Sequence, residues 1–402
     1  MNKKDTKETV DRTVDLKNLT TKSQKKKAVQ IKEADSPSPN SSRITGLDVS
    51  GFSSYKILNH FEKLQQIAAG QIVSPITVEM DLSNRCNHRC QWCVNRESQN
   101  NMKEKLGLKS FKKLTADLAK YGTKSIVLKG GGEPTTNPEI VEMLYTARAI
   151  GLKVGVITNG SMPVLGTRQA ILDNADWIRV SLDAANAHTH EQIHQSKDFE
   201  KIIDNVIFLA DKTQNTLVGL NFVAEERNYD QILDFTKLAK RIGAAYVSIR
   251  RVSDHKYSHS DSYQKHKKIM YEQAVEAETL SNDHFRVLLG NFTDEYLDAD
   301  PAKPFPFHKC LGPKLVGNVG ADGEVYACCN LWGYKDFSFG SIHTQSFEQI
   351  WTGQKRKAVN EAILRGECGY VCMGVLTASR YNIYNQILNY LVAENKQHTE
   401  FA

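Results

Sequence analysis

The chain reads as an α/β protein, a partial (β/α)6 barrel followed by a small β-hairpin-plus-helix domain. Three observations predict this. Six short apolar runs alternate with amphipathic helical segments between residues 76 and 251. A three-cysteine loop follows directly on the first run, and five more cysteines lie beyond the last, around a hairpin signal. Strands that are apolar on both faces, alternating with amphipathic helices, form parallel sheets covered by helices.

The elements follow in order. Residues 1–50 are polar and Ser/Pro-rich, and residues 1–43 hold eleven Lys/Arg against six Asp/Glu. Most of the chain's net charge of +6 therefore sits in a tail expected to be disordered, leaving a near-neutral body that does not point to nucleic acid. There is no apolar signal segment at the N-terminus and no apolar run near 18 residues, so neither secretion nor a membrane span is expected. Eight cysteines in such a chain suit a reducing, cytoplasmic compartment. Residues 51–75 carry helical periodicity, with Gly70 as its stop. The barrel is expected over 76–255, with strands at 76–82, 125–130, 152–158, 177–182, 217–223 and 246–251. Ser110 is the expected N-cap of the helix after strand one. Residues 252–305 join the two domains, with the linker helix at 256–305, and His255, His259 and His266 of this segment belong to a solvated face rather than a metal site. Residues 306–376 form the small domain and 377–402 a terminal helix.

Cys86, Cys90 and Cys93 stand at a three-then-two spacing in "CNHRCQWC". Structural zinc wants four ligands, and His88 lies inside the same tight loop. Three thiolates suit an iron–sulfur cube that leaves one iron open. Functional groups of such folds gather at the carboxyl ends of the strands. There, strand two runs into "GGGEP", where glycines let a ligand approach backbone. Strand three ends at Asn159, strand four at Ser181 and Asp183, and strand six at Arg250 and Arg251, while Asn221 sits on strand five.

Cys86-x3-Cys90-x-Trp92-Cys93, followed by Gly131-Gly132-Glu133-Pro134 after strand two, resembles the two signature motifs of the radical S-adenosylmethionine (SAM) superfamily. The resemblance covers about residues 75–251. It implies that Cys86, Cys90 and Cys93 hold a 4Fe–4S cluster whose open iron chelates SAM, and that one electron cleaves SAM to a 5′-deoxyadenosyl radical that takes hydrogen from substrate. It implies that Trp92 packs near the adenine and that Gly131, Gly132 and Glu133, with Pro134 stiffening the turn, meet the methionine amino group. Asn159 and Ser181 are implied at the ribose and Arg250 at the methionine carboxylate. A flavodoxin- or ferredoxin-type electron donor is implied as partner.

"LVGNVGADGEVYACC" reads as a hairpin around "ADG", and "SFEQIWTG" as a helix opened by Ser346 and closed by Gly353. With Cys310, Cys328, Cys368 and Cys372, this resembles the twitch/SPASM-type auxiliary domain, which holds a second 4Fe–4S cluster. Four thiolates suit zinc as well. Cys329 is left over, either packing on the hairpin, replacing Cys328 as ligand, or acting catalytically as a hydrogen donor. The expected activity is oxidation or epimerisation of a small polar molecule, sugar- or aminocyclitol-like. Peptide modification is the alternative, and a non-catalytic zinc or nucleic-acid binding protein the rival from another class.

Overall fold

The computed structural model describes residues 54–93, 95, 103–252, 261–290, 309–368 and 380–393. The expectations for the tail 1–50, for His255 and His259 and for Cys372 lie outside the described residues.

Strands β1 (Thr77–Asp81), β2 (Ser125–Lys129), β3 (Lys153–Thr158), β4 (Trp177–Ser181), β5 (Leu217–Ala224) and β6 (Tyr246–Arg251) pair in sequence order, all parallel. Helices α1 (Phe61–Ala68), α2 (Leu108–Tyr121), α3 (Ile140–Ala149), α4 (Thr167–Asn174), α5 (Ala187–His194), α6 (Phe199–Lys212) and α7 (Ile232–Arg241) come before and between them. The α1 segment ends at Gly70, whose φ of 78° suits a residue without Cβ.

The sheet is larger than the sequence pattern indicates. The segment read as a linker contains α8 (Asp261–Glu278), which packs on α7, and β7 (Arg286–Leu289), which pairs parallel with β6. His266 stacks on Tyr229 at 3.7 Å instead of facing solvent. A four-residue strand has too little periodicity to register in sequence; only its pairing makes it one. The hairpin β8 (Val316–Val319) and β9 (Glu324–Tyr326), joined by a third strand β10 (Ser338–Ser341), is not a detached sheet. β8 pairs parallel with β1, giving one open sheet of ten strands in the order β10-β9-β8-β1-β2-β3-β4-β5-β6-β7. Helices α9 (Phe347–Thr352), α10 (Gln354–Leu364) and α11 (Arg380–Val392) complete the described elements.

Ser110 is not the cap of α2. The helix starts three residues earlier, after Gly107, where Glu139 Oε2 accepts the free Leu108 N–H at 3.1 Å. A partner from the next unit replaces the local cap. Ser346 does cap α9, in a reciprocal pair with Gln349.

Strand alternation divides the sheet into two faces. Val78, Met80, Ile126, Leu128, Val154 and Val156 point into the apolar layer under the helices. Thr77, Glu79, Asp81, Ser125 and Lys129 share the concave face, where Thr77 and Ser125 hydroxyls meet at 2.8 Å. At Gly155 and Gly219 a Cβ would lie 2.2 Å from the rings of Trp177 and Tyr246, so these aromatics fill the space the glycines leave. Among the described residues no helix is long and apolar enough to cross a membrane.

Candidate active site

The cysteine loop leaves β1 and docks on the end of α5. Asn186 opens that helix by accepting from Thr189 N at 2.9 Å, and its last free carbonyls accept loop amides, Arg89 N on His194 O at 3.0 Å and Gln91 N on Ile193 O at 3.1 Å. The loop is thus held by carbonyls that a helix C-terminus always leaves over. On its other side the β2 loop packs against the loop's entry. Gly132 N donates to Ser83 O at 2.9 Å, Glu133 N donates to Arg85 O at 2.8 Å, and a Cβ on Gly132 would lie 2.2 Å from Arg85 O. Only glycine admits this approach.

The donor set fits a cluster better than a single zinc. Burial, with nearby Glu133, Cys90 and Cys93 adding repulsion, pushes the Cys86 thiol up to about 12. Among the described residues the possible ligand atoms that all lie within 4.8 Å of one another are those of His88, Cys90 and His194, not the three thiols, whereas tetrahedral zinc at 2.3 Å from each thiolate needs sulfurs about 3.8 Å apart. Wider spacing suits ligands to separate irons of a cube. Cys310, Cys328 and Cys329 are also gathered: Cys328 is raised well above an ordinary thiol by its contact with Cys329, by burial and by the nearby Cys310. Cys310 Sγ accepts from Asn385 Nδ2 of α11 at 3.7 Å. Cys368 is half-buried against the main core.

The other sequence-predicted residues divide. Glu133 is 2% exposed, and its carboxylate is engaged within the loops: Oε1 accepts from Thr135 N, Thr135 Oγ1 and Thr158 Oγ1, and Oε2 accepts from Asn159 N. Burial still raises its pKa above the usual carboxylate range. Asn159 is engaged too, donating to Asn87 Oδ1 at 2.9 Å and accepting from Ser161. The Asn159 side chain ties the end of β3 to the cysteine loop, and the Glu133 carboxylate ties the β2 loop to the end of β3. Pro134 is buried and opens the turn that follows. Ser181 ends β4 half-buried, opposite Asn221 of β5. Arg250, the last residue but one of β6, is exposed, and its Nε contacts Ser248 Oγ at 3.4 Å. Trp92 lies half-buried beside His194, with ring centres 6.2 Å apart. Cys329 opens a short turn, next to Cys328 and within electrostatic reach of Lys129. Asp183, just past the end of β4, faces the protein: Oδ1 accepts Val223 N at 2.7 Å and Oδ2 meets His194 Nε2 at 3.0 Å.

Three groups escape a reading of the sequence. His190 and His194, four apart on α5, stack at 4.4 Å, and His194 Nδ1 lies 3.2 Å from Cys90 Sγ. The i, i+4 pair in "HTHEQIH" was the available signal. Burial works against charge on His194, but Cys90 and Asp183 outweigh it and hold the ring up at about 10; burial and His194 hold His88 down to about 4. Lys129 joins Asp81 at 2.9 Å and Glu79 at 3.9 Å on the concave face. Asn318 of β8, 6% exposed and level with Glu79, has neither Nδ2 nor Oδ1 hydrogen-bonded. Neither signal was readable, because both depend on which strands are neighbours. A cavity of about 330 Å³ opens at the opposite strand edge, between Lys56, Lys124, Trp177 and Tyr384, away from the cysteine loop.

Two family models match this chain: the Radical SAM superfamily over residues 80–247 and the SPASM iron–sulfur cluster-binding domain over residues 310–373. An AdoMet-dependent heme synthase of Methanosarcina barkeri is 26% identical over 325 residues, covering 75% of this chain and 91% of that protein. A PqqA peptide cyclase of Rhizobium meliloti is 24% identical, covering 70% and 74%. SuiB of Streptococcus suis bound to S-adenosylmethionine superposes with a TM-score of 0.58 at 14% identity, covering 76% and 73%; SuiB bound to precursor peptide SuiA gives 0.57. At that identity the likeness concerns the fold. The two cysteine groups, the glycine loop between them and both family matches agree, and the chain belongs to the radical SAM superfamily, an enzyme of SAM and 4Fe–4S clusters with a SPASM-type auxiliary domain.

Proposed function

We propose that the enzyme abstracts hydrogen from a polypeptide substrate, in place of the sugar or aminocyclitol that the sequence first suggests. The observation that carries the reading is Asn318. Its carboxamide presents a free donor and a free acceptor from the auxiliary domain to the concave face of the barrel sheet. A buried amide left unmatched costs about 1–3 kcal/mol. A peptide group offers the complementary acceptor and donor. The likeness to a peptide cyclase, and a fold shared with a protein bound to its precursor peptide, support the same class of substrate.

In this reading Cys86, Cys90 and Cys93 hold the first cluster, and Gly131 and Gly132 expose backbone to the methionine part of SAM. Trp92, Ser181 and Arg250 line the rest of the SAM site. Cys310, Cys328, Cys368 and Cys372 hold the auxiliary cluster, and a flavodoxin- or ferredoxin-type donor reduces the enzyme. When bound, the reduced first cluster supplies the electron that splits SAM into methionine and a 5′-deoxyadenosyl radical. Glu79, Asp81 and Lys129 keep the facing wall polar and charge-paired. Cys329, beside that wall, is placed to return a hydrogen atom or to serve the auxiliary site.

The test uses reconstituted enzyme, dithionite and SAM with two pools of fully carbon-deuterated probes: random-sequence dodecapeptides, and hexoses with aminocyclitols. Deuterium in 5′-deoxyadenosine from the peptide pool is the expected result. Deuterium from the sugar pool alone would return the reading to small polar substrates.

A further inference from the structure

We infer that His194, held by Asp183, donates a hydrogen bond to the Cys90 sulfur and thereby raises the reduction potential of the SAM-binding cluster. The inference rests on Cys90 being a cluster ligand.

The geometry is that of a fixed donor. His194 Nδ1 lies 3.2 Å from Cys90 Sγ, and Nε2 lies 3.0 Å from Asp183 Oδ2. Both side chains are buried, at 2% and 4% exposure. Once Cys90 ligates iron, its sulfur carries no proton, and Asp183 likewise offers only lone pairs. Each ring nitrogen then faces an acceptor, and the only role left to each is to donate. The third neighbour agrees: His88 Nδ1 stands 3.4 Å from His194 Nδ1, and its other nitrogen faces Asp198 at 3.4 Å. A His88 ring that donates to Asp198 presents a lone pair to His194.

The ring cannot turn away. His190 stacks on it at 4.4 Å with the planes 12° apart, and Trp92 and His88 stand edge-on. Asp183 is pinned from three sides. Val223 N holds Oδ1, Asn228 Nδ2 donates to its carbonyl at 2.8 Å, and its backbone sits at φ 56°, a left-handed conformation uncommon outside glycine. Strained, over-determined residues of this kind gather at functional sites. The α5 carbonyl of His194 also holds Arg89 of the cysteine loop, so one residue fixes both the loop backbone and the ligand sulfur.

Hydrogen bonds to ligand sulfur are among the factors that set iron–sulfur potentials, and partners behind the ligands tune a metal site as its ligands do. A donor at Cys90 draws electron density from the thiolate and favours the reduced cluster. His194 is accordingly a positioning residue: it acts through Cys90 and does not touch substrate.

The experiment is an EPR-monitored potentiometric titration of reconstituted parent, His194→Leu and His194→Gln proteins. The signal that changes on adding SAM identifies the first cluster. We expect the midpoint to move to more negative potential in His194→Leu, and less far in His194→Gln, whose amide restores one N–H. An unmoved midpoint at parental iron and sulfide content would overturn the inference. If His194→Leu does not take up iron, electron spin echo modulation on reduced parent protein with 15N-ring-labelled histidine decides. A ring-nitrogen coupling that changes with the label supports the hydrogen bond, and its absence sinks it. A parent protein that holds no iron–sulfur cluster would instead refute the ligand assignment itself.

Discussion

Trp332 stands over Gly131. A Cβ built on that glycine would lie 3.0 Å from Trp332 Cζ2 and 3.1 Å from Asn84 Oδ1. The auxiliary domain therefore forms part of the wall around the glycine loop, and the two cluster regions are coupled by direct contact. The contact exists because β8 pairs with β1, which brings the turn after β9 beside the strand ends.

The two glycines of this loop should respond differently to alanine. At Gly131 the new methyl meets the edge of a half-buried indole, which can shift. At Gly132 it meets the Arg85 carbonyl at 2.2 Å, which is backbone of the cysteine loop. We expect Gly131→Ala to weaken SAM binding several-fold with cluster content intact, and Gly132→Ala to lower cluster content as well. Equilibrium dialysis with SAM and iron analysis measure the two effects. Equal iron loss in both variants would contradict the contrast.

Ligand removal should separate the clusters. Cys86→Ala, Cys90→Ala and Cys93→Ala should each abolish SAM cleavage. Cys328→Ala should lower iron from about eight to about four per chain, keep part of the cleavage and lose the modified product. The checks are iron and sulfide assays beside 5′-deoxyadenosine quantitation. Cleavage that survives loss of Cys90 would break the assignment.

Lys129 should control a pH dependence. Burial disfavours its ammonium, but Asp81 and Glu79 outweigh this and hold it above its usual range. Its contribution to stability is present below about pH 10.5 and is lost as the pH rises through the folded value. Burial raises Asp81 despite Lys129. Lys129→Met should cost about 3 kcal/mol at pH 7, since it leaves carboxylates unpaired beside the core. The raised carboxyls then make the variant more stable as pH falls from 7 toward 5, and it should lack the parent's alkaline loss. Urea titrations at pH 5, 7, 10.5 and 11.5 measure this, the alkaline loss being read between the last two.

Glu133→Gln should act through architecture. The amide keeps one oxygen for Thr135 and Thr158 but turns an N–H towards the Asn159 N–H that Oε2 now accepts. Two facing buried donors cost about 1–3 kcal/mol. We expect a lower thermal midpoint already in protein without clusters, and calorimetry on that form is the check. An unchanged midpoint would assign the carboxylate to ligand binding alone.

Much of this molecule was readable in one dimension. Six strands, their order and the position of the cysteine loop after β1 follow from apolar runs of strand length alternating with 3.6-residue periodicity, because local patterning decides which face of each element is buried. The gathering of Cys86, Cys90 and Cys93 on one loop follows from spacing, since a tight loop can present thiols only at short separations. Gly70 as a stop and Ser346 as a cap are equally local. Other features belong to no segment alone. β7 is four residues whose only evidence is a neighbour. The start of α2 is set by Glu139 from the next unit, not by Ser110. The joining of hairpin and barrel into one sheet, the orphaned amide of Asn318 beside Glu79, and the path from Asp183 through His194 to Cys90 unite residues far apart in the chain. Sequence determined which residue types are present and where they can cluster locally. Strand pairing and helix docking, whose free energies depend on long-range burial and geometry, decided which of those groups meet.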